Sequence, residues 1–551
     1  MRLTSIGAAL LLVGCGGSLQ PIATSSAPVP AAPTPEALAA GAPSSPSLPP
    51  VPLVAGPLTP RVVYPTTNAL IQSRDSNFIF GSIGNGNAAL TINGMPVHVW
   101  PNGAYLAYLP IPPADAPRYD LVATLGADTA RTTQNVRLLP PLPAADTLAA
   151  DSLEADSIAT DTIPRHPDST ARLTADTTAI FVALGAAPDS VPADTDRVII
   201  GRPIPRGTYK WFLLPGTVLR ETGREGDFVR VRLDAALDIW VAASDAVALP
   251  PETTEPGRVA GNARVVPGAD YVDLVLPIGA RPAYDVEESG TDVILTLYGT
   301  KATTDIINYR ANDPMVRTVE WMQETSDRAR YTVHLRQRPF GYLVLWDNGS
   351  LVLRLRRTPM IDTRRPLSGL TIAVDPGHPP IGATGPTGLW EPQATLWVGE
   401  RLAAMLRERG ATVYMTRTTM DPVALGDRPT MARRANAHLL VSVHLNALPD
   451  GINPFRAQGS GTYFFRAQAE PLARAVQRGL VAQLKLPDHG VFYDNLALAR
   501  PTWMPSILCE GAFLMMPDQE AGLRTPQFQE AYARGIADGI EEYFRGLPAD
   551  R

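Results

Sequence analysis

The sequence predicts a multidomain chain: a C-terminal α/β domain with a mainly parallel sheet flanked by helices, preceded by three small β-rich modules and disordered tethers. Three observations predict it. The 551 residues exceed the roughly 100–200 that one domain usually organises. The 55 prolines, about twice ordinary usage, stand beside 44 glycines and 45% hydrophobic residues, a mixture that calls for folded modules separated by unstructured stretches. From Leu370 onward, strand-like and helix-like apolar patterns alternate, whereas upstream the runs are short and strand-like. The formal charge of -6 is mild and lacks the basic footprint of a nucleic-acid binder.

The first element is an address. Arg2 precedes a short apolar run, Ile6 to Val13, and the segment 1–15 ends in Leu12-Val13-Gly14-Cys15. That run is too short to span a bilayer, which takes about 20 apolar residues, but it has the layout of a secretory signal. It resembles a bacterial lipoprotein signal, which implies cleavage before Cys15 and a membrane anchor through lipid on its thiol. An ordinary signal peptide with an incidental cysteine is the alternative. Cys509 is the only other cysteine, so no disulfide framework exists and the exported domains must rely on their cores. Residues 16–60 are rich in Ala, Pro and Ser and read as a semi-rigid tether. Residues 140–178 repeat Ala-Asp and Asp-Thr/Ser pairs without an aromatic residue, an acidic linker unable to build a core.

Three modules lie between and after these tethers. In 61–139, β-rich runs such as Asn77-Phe78-Ile79-Phe80-Gly81 alternate with turns, and Asn93-Gly94 is a strong hairpin signal. A small sandwich similar to bacterial immunoglobulin-like modules is expected. In 180–250, Phe228-Val229-Arg230-Val231-Arg232-Leu233 alternates apolar and charged residues with period two, one face for a core and one for water. That stretch resembles bacterial SH3-like barrels. In 257–357, the strands Asp292 to Tyr298 and Tyr331 to Leu335 make a β domain that is similar to AMIN domains, and His334 should face water. For all three, a plain scaffold role and specific glycan binding stay open.

The chemistry is expected in 367–546. Thr371-Ile372-Ala373-Val374 reads as a buried strand, and Asp375-Pro376-Gly377-His378 as the turn at its C-terminal end, where open α/β sheets form sites. A helix from about Pro392 to Arg409 follows Glu391, where the helix dipole favours an ionised carboxylate. A strand Thr412 to Met415, a helix Arg428 to Ala437 and a strand Leu439 to His444 come next, so His444 also ends a strand. Two histidines and a glutamate on one sheet edge are the ligand set of a catalytic zinc site with an open fourth position. Singly, each has a plain reading as a hydrogen-bonded histidine or a helix-opening acid.

The local sequences add a resemblance. Val374-Asp375-Pro376-Gly377-His378, Gly382-Ala383-Thr384-Gly385 leading to Glu391, Thr416-Arg417 with Asp421 and Arg428, Ser442-Val443-His444-Leu445-Asn446-Ala447 and Ser506-Ile507-Leu508-Cys509-Glu510-Gly511 occur in this order. The segment resembles the zinc-dependent N-acetylmuramoyl-L-alanine amidases. The resemblance implies Zn2+ held by His378, Glu391 and His444, with Glu510 as the catalytic proton carrier. It implies peptidoglycan as substrate and the cell envelope as location, on the periplasmic side of the outer or inner membrane. A non-catalytic envelope-binding protein on a degenerate amidase scaffold is the competing reading. Pro379-Pro380-Ile381 departs from the family, which usually has two glycines there, and alters the expected groove beside His378. His438 is expected to be structural rather than a fourth ligand, and Cys509 a buried, inert thiol. Helix Ala469 to Leu484 follows Tyr463-Phe464-Phe465 too closely for the inhibitory helix some relatives insert. Whether a protein activator is needed is not written in the sequence.

Overall fold

The computed structural model describes residues 48–140, 179–191 and 198–547. Cys15, the signal segment, most of the first tether and the acidic linker beyond Pro140 lie outside the described residues.

In the first body, a three-stranded sheet (Arg61–Tyr64, Ser76–Ser82, Ala104–Pro110) shares one core with a five-stranded sheet (Ala69–Ile71, Ala89–Ile92, Met95–Val97, Arg118–Leu125, Asp128–Leu138). Ile79, Tyr105 and Leu109 from one sheet meet Leu90, Ile92 and Leu121 from the other. Asn93 and Gly94 both take positive φ, 49° and 78°, which closes the hairpin as their types require. Residues 48–60 correct the expected tether, because ordered chain begins before Arg61. The Val54 N–H donates to the Pro101 carbonyl, Ala55 bridges to Asn85, and Val51 packs against the sandwich. The segment is ordered because it borrows backbone partners and apolar neighbours from an adjacent sheet, although it has no core of its own.

Strand Ser76–Ser82 is buried on both faces. Side chains alternate, so Ile79 enters the sandwich core while Phe78 and Phe80 point the other way. They meet Phe513, Met515 and Met516 of the C-terminal domain. Asp450 pins this contact: its carboxylate accepts hydrogen bonds from the Tyr64 hydroxyl, from the Asn77 amide at 2.9 Å and from the Gln72 N–H at 2.7 Å.

In the second body, Val229, Val231 and Leu233 are buried while Arg230 and Arg232 face outward, as the alternation predicts. Its core also takes in Ala283 and Tyr298 from the third body. That third body joins a five-stranded and a four-stranded sheet around Leu274, Leu295, Tyr331 and Leu353. His334 lies on the outer face, but carboxylates cover it: its Nδ1 is 2.9 Å from Asp292.

The C-terminal domain carries β1 (Thr371–Pro376), α1 (Glu391–Glu408), β2 (Thr412–Met415), α2 (Asp427–Arg434), β3 (Leu439–Asn446) and β4 (Ser460–Phe464). It continues with α3 (Glu470–Leu484), β5 (Asp488–Tyr493), β6 (Ser506–Phe513), α4 (Pro517–Leu523) and α5 (Pro526–Arg545). The sheet order is β2-β1-β3-β6-β4-β5. The β1–β2, β1–β3, β3–β6 and β4–β5 pairings are parallel, and β4–β6 is antiparallel. Helices α3 and α5 cross closely through glycines. A Cβ on Gly539 would stand 2.3 Å from the Val476 Cα, and one on Gly479 would stand 2.1 Å from the Gly535 carbonyl oxygen.

Candidate metal centre

The parallel arrangement brings the strand ends together. His378 follows β1, His444 lies near the end of β3, and Glu391 is the first residue of α1. Glu391 is 3% exposed and sits beneath the two imidazoles. Its Oε2 is 3.2 Å from His378 Nε2, and its Oε1 is 3.3 Å from His444 Nδ1. Donor atoms of all three residues lie within 4.8 Å of one another. A tetrahedral zinc site with bonds of about 2.0–2.1 Å has ligand–ligand edges of about 3.3 Å, so the donors fit that ion in type and spacing. The Glu391 carboxylate is oriented by the Ala383 N–H at 2.9 Å and the Leu445 N–H at 3.0 Å. Burial works against its ionisation, but the flanking histidines win and hold it well below the usual carboxylate range.

Glu510 stands on β6 directly across from His444 on β3. Its Oε2 is buried and has no hydrogen-bond partner among the described residues. Burial first, and the Glu391 charge second, push its carboxyl well above the ordinary range. Cys509, its neighbour, is fully buried, and burial pushes the thiol up, which makes it a core residue rather than a nucleophile.

The motif profile described as N-acetylmuramoyl-L-alanine amidase matches residues 372–542. The germination-specific N-acetylmuramoyl-L-alanine amidase of Bacillus subtilis is 31% identical over 203 residues, covering 32% of this chain and 81% of that protein. The chain belongs to the N-acetylmuramoyl-L-alanine amidase family. The amidase LytC of the same organism is 31% identical over 210 residues, 36% of this chain and 41% of its own length. Among solved structures, AmiC2 of Nostoc punctiforme is 30% identical, with 32% of this chain and 98% of that one covered and a TM-score of 0.30.

In this amidase the loop bearing His378 is fastened by groups that carried no assigned role in the sequence. Asp375, fully buried, pairs with Arg428 at 2.9 Å and accepts from the Ser442 hydroxyl at 2.6 Å. Arg428 in turn donates to the carbonyls of Pro376, at 2.9 Å, and His378, at 2.8 Å. Arg417 donates to the carbonyls of Pro376, Gly377 and Pro392 at 2.7–2.9 Å. Two guanidiniums therefore hold the backbone on both sides of the first histidine, in loops that Pro379 and Pro380 leave short of N–H donors. His378 itself adopts a left-handed φ of 62°. Gly377 is required beside it: a Cβ there would lie 2.4 Å from His444 Cε1. Asp421 is exposed and stays outside this network, bonded to Thr419. Tyr532 on α5 was not anticipated either. Its hydroxyl lies 2.9 Å from the carbonyls of both His444 and Cys509, so it joins β3 to β6 at the level of His444 and Glu510.

His438 precedes β3, and its Nδ1 accepts the Thr371 N–H at 2.9 Å, a structural link between strands. Burial and the nearby Arg356 push it down to about 4. The unfolded histidine titrates near 6.5, so between about 6.5 and 4 the unfolded chain takes up a proton that the folded chain refuses. This contribution to stability is complete above about 6.5 and is lost as pH falls through about 4. Denaturant titrations from pH 7 to 4 should show a shallower decline for His438→Asn than for the wild type. Parallel declines would show that His438 is not the group responsible.

Proposed function

We propose that the chain hydrolyses peptidoglycan at the amide between the lactyl group of N-acetylmuramic acid and the first L-alanine of the stem peptide. The observation that carries this reading is the cluster of His378, Glu391 and His444 with Glu510 on the neighbouring strand. Zinc, when bound there, lowers the pKa of water towards 7 and polarises the scissile carbonyl. His378, Glu391 and His444 would hold it, and Arg417 and Arg428 keep the first of these ligands in place. Glu510 removes a proton from the attacking water and returns it to the departing alanine nitrogen. The C–N bond breaks, the lactyl carbon gains oxygen from water, and the alanine leaves as a free amine. An unpartnered Oε2 suits this cycle, because no protein donor has to be displaced before the carboxylate accepts a proton.

The full chain incubated with purified peptidoglycan should release new alanine amino termini in step with lactyl carboxylates, and a chelator should stop the release until zinc is restored. New reducing sugar ends without alanine amines would refute the reading. We also infer an envelope location with a lipid anchor on Cys15, supported by the signal layout of 1–15. Cys15→Ala should shift the protein from membrane to soluble fractions without lowering its activity in solution. Membrane retention by that variant would remove the anchor.

A further inference from the structure

A cavity of about 700 Å³ lies where the second and third β bodies meet the C-terminal domain. Phe212 from the second body, Tyr284 and Tyr342 from the third, and Arg466, Arg500 and Trp503 from the C-terminal domain line it. It is separate from the metal centre. Arg466 follows β4, and β4 runs antiparallel to β6 with Phe464 opposite Ile507. Pro501–Met504 lead into β6, so these residues gather at the end of β6 away from the edge where Glu510 faces the ligands.

Two guanidiniums are brought together here. Arg466 lies over the rings of Phe212 and Phe465, at 5.3 and 4.9 Å, and Arg500 lies over Tyr209 and Phe212, at 5.1 and 5.5 Å. Phe212 thus contacts both cations. Their hydrogen bonds go to neutral acceptors: Arg466 Nε to the Arg500 carbonyl, and Arg500 to the Asn495 side chain and carbonyl. Among the described residues neither makes an ion pair. Asp285 and Asp427 line the same cavity and form none with either arginine. Burial and the Arg466 charge lower the Arg500 pKa, as expected for like charges withdrawn together from water. Like charges withdrawn together from water are costly, the Asp285 and Glu288 carboxylates offset the Arg466 charge only without direct pairing, and the free edge of a guanidinium matches a carboxylate in shape. The aromatic walls suit an apolar or sugar body attached to that anion.

We propose that this junction is a second binding site, which takes a carboxylate of a peptidoglycan stem peptide while the metal centre works on another part of the wall. The identity of the ligand rests on the hydrolase reading above; the anion site itself rests on the cavity and the two arginines. A ligand there would touch all three bodies and tie them together.

The test uses the full chain with Glu510→Gln, so that ligand is not consumed, titrated with a soluble disaccharide-tripeptide bearing free carboxylates. Two sites are expected. Arg466→Gln with Arg500→Gln should weaken one of them at least about tenfold, the scale of a lost charge-assisted contact, and leave the other intact. Amidating the peptide carboxylates should have the same effect without any mutation, which keeps the test decisive if the double variant fails to fold. In the chain with native Glu510, the arginine variant should keep its hydrolysis of the small fragment within about twofold and lose affinity for the carboxylated ligand. A single site, or two sites indifferent to amidation and to the arginines, would overturn the proposal. Equal competition by inorganic phosphate would overturn the stem-peptide assignment in favour of a general anion site. Failure of the hydrolase reading would appear separately, as no cleavage by the chain with native Glu510.

Discussion

His378→Ala or His444→Ala in the full chain is expected to abolish stoichiometric zinc and, with it, hydrolysis of peptidoglycan. In the proposed ligand set each imidazole would supply one of three protein donors, and the remaining pair would be one histidine and a carboxylate. Catalytic zinc sites of this type use three ligands, and their assembly depends on all of them. The Glu391 carboxylate would also lose one of the two neighbours that hold it ionised beneath 3% exposure. The measurement is metal content per chain after dialysis, with circular dichroism to verify retained structure. The β bodies have their own cores and should stay folded. A folded His444→Ala chain that keeps one zinc would sink the ligand assignment. The variants belong in the full chain, because removing the sandwich would expose Phe513, Met515 and Met516.

Glu510→Gln should do something different: zinc stays and turnover falls by about 10²- to 10⁴-fold, the usual span for a general acid–base group. Glutamine keeps the shape of the side chain but cannot carry the proton. Stability should hold or rise, because glutamine removes a buried carboxyl whose ionisation burial and the nearby Glu391 charge oppose. Rates at saturating substrate, zinc content and melting temperature together separate the roles. Near-normal turnover with zinc bound would assign the proton to another group, and loss of zinc would make Glu510 part of the metal's support.

Much of this site was legible because strand periodicity is local. The apolar run that leads into the turn bearing His378 and the one that leads to His444 indicated which sheet edge both residues reach, and Pro392 marked where the helix after Glu391 begins. The arginines were legible as residues of the motif but not as supports. Arg428 lies 53 positions from Asp375, and its hydrogen bonds run mainly to backbone carbonyls, which any residue type provides. The antiparallel β4–β6 pairing escaped for a related reason: a buried strand looks the same in either direction.

The sequence by itself determined the order of the modules, the two-residue alternation that buries Val229, Val231 and Leu233, and the residue types able to hold zinc and move a proton. Those depend on neighbours along the chain and on side-chain chemistry. Only the tertiary structure decided that Phe78 and Phe80 bury against Phe513, that Asp450 fastens the sandwich to the loop after β3, and that Arg466 and Arg500 share a cavity with Phe212. These are contacts between residues tens to hundreds of positions apart, selected by surface shape and by the pairing of buried polar groups, and no local pattern encodes which distant partner completes them.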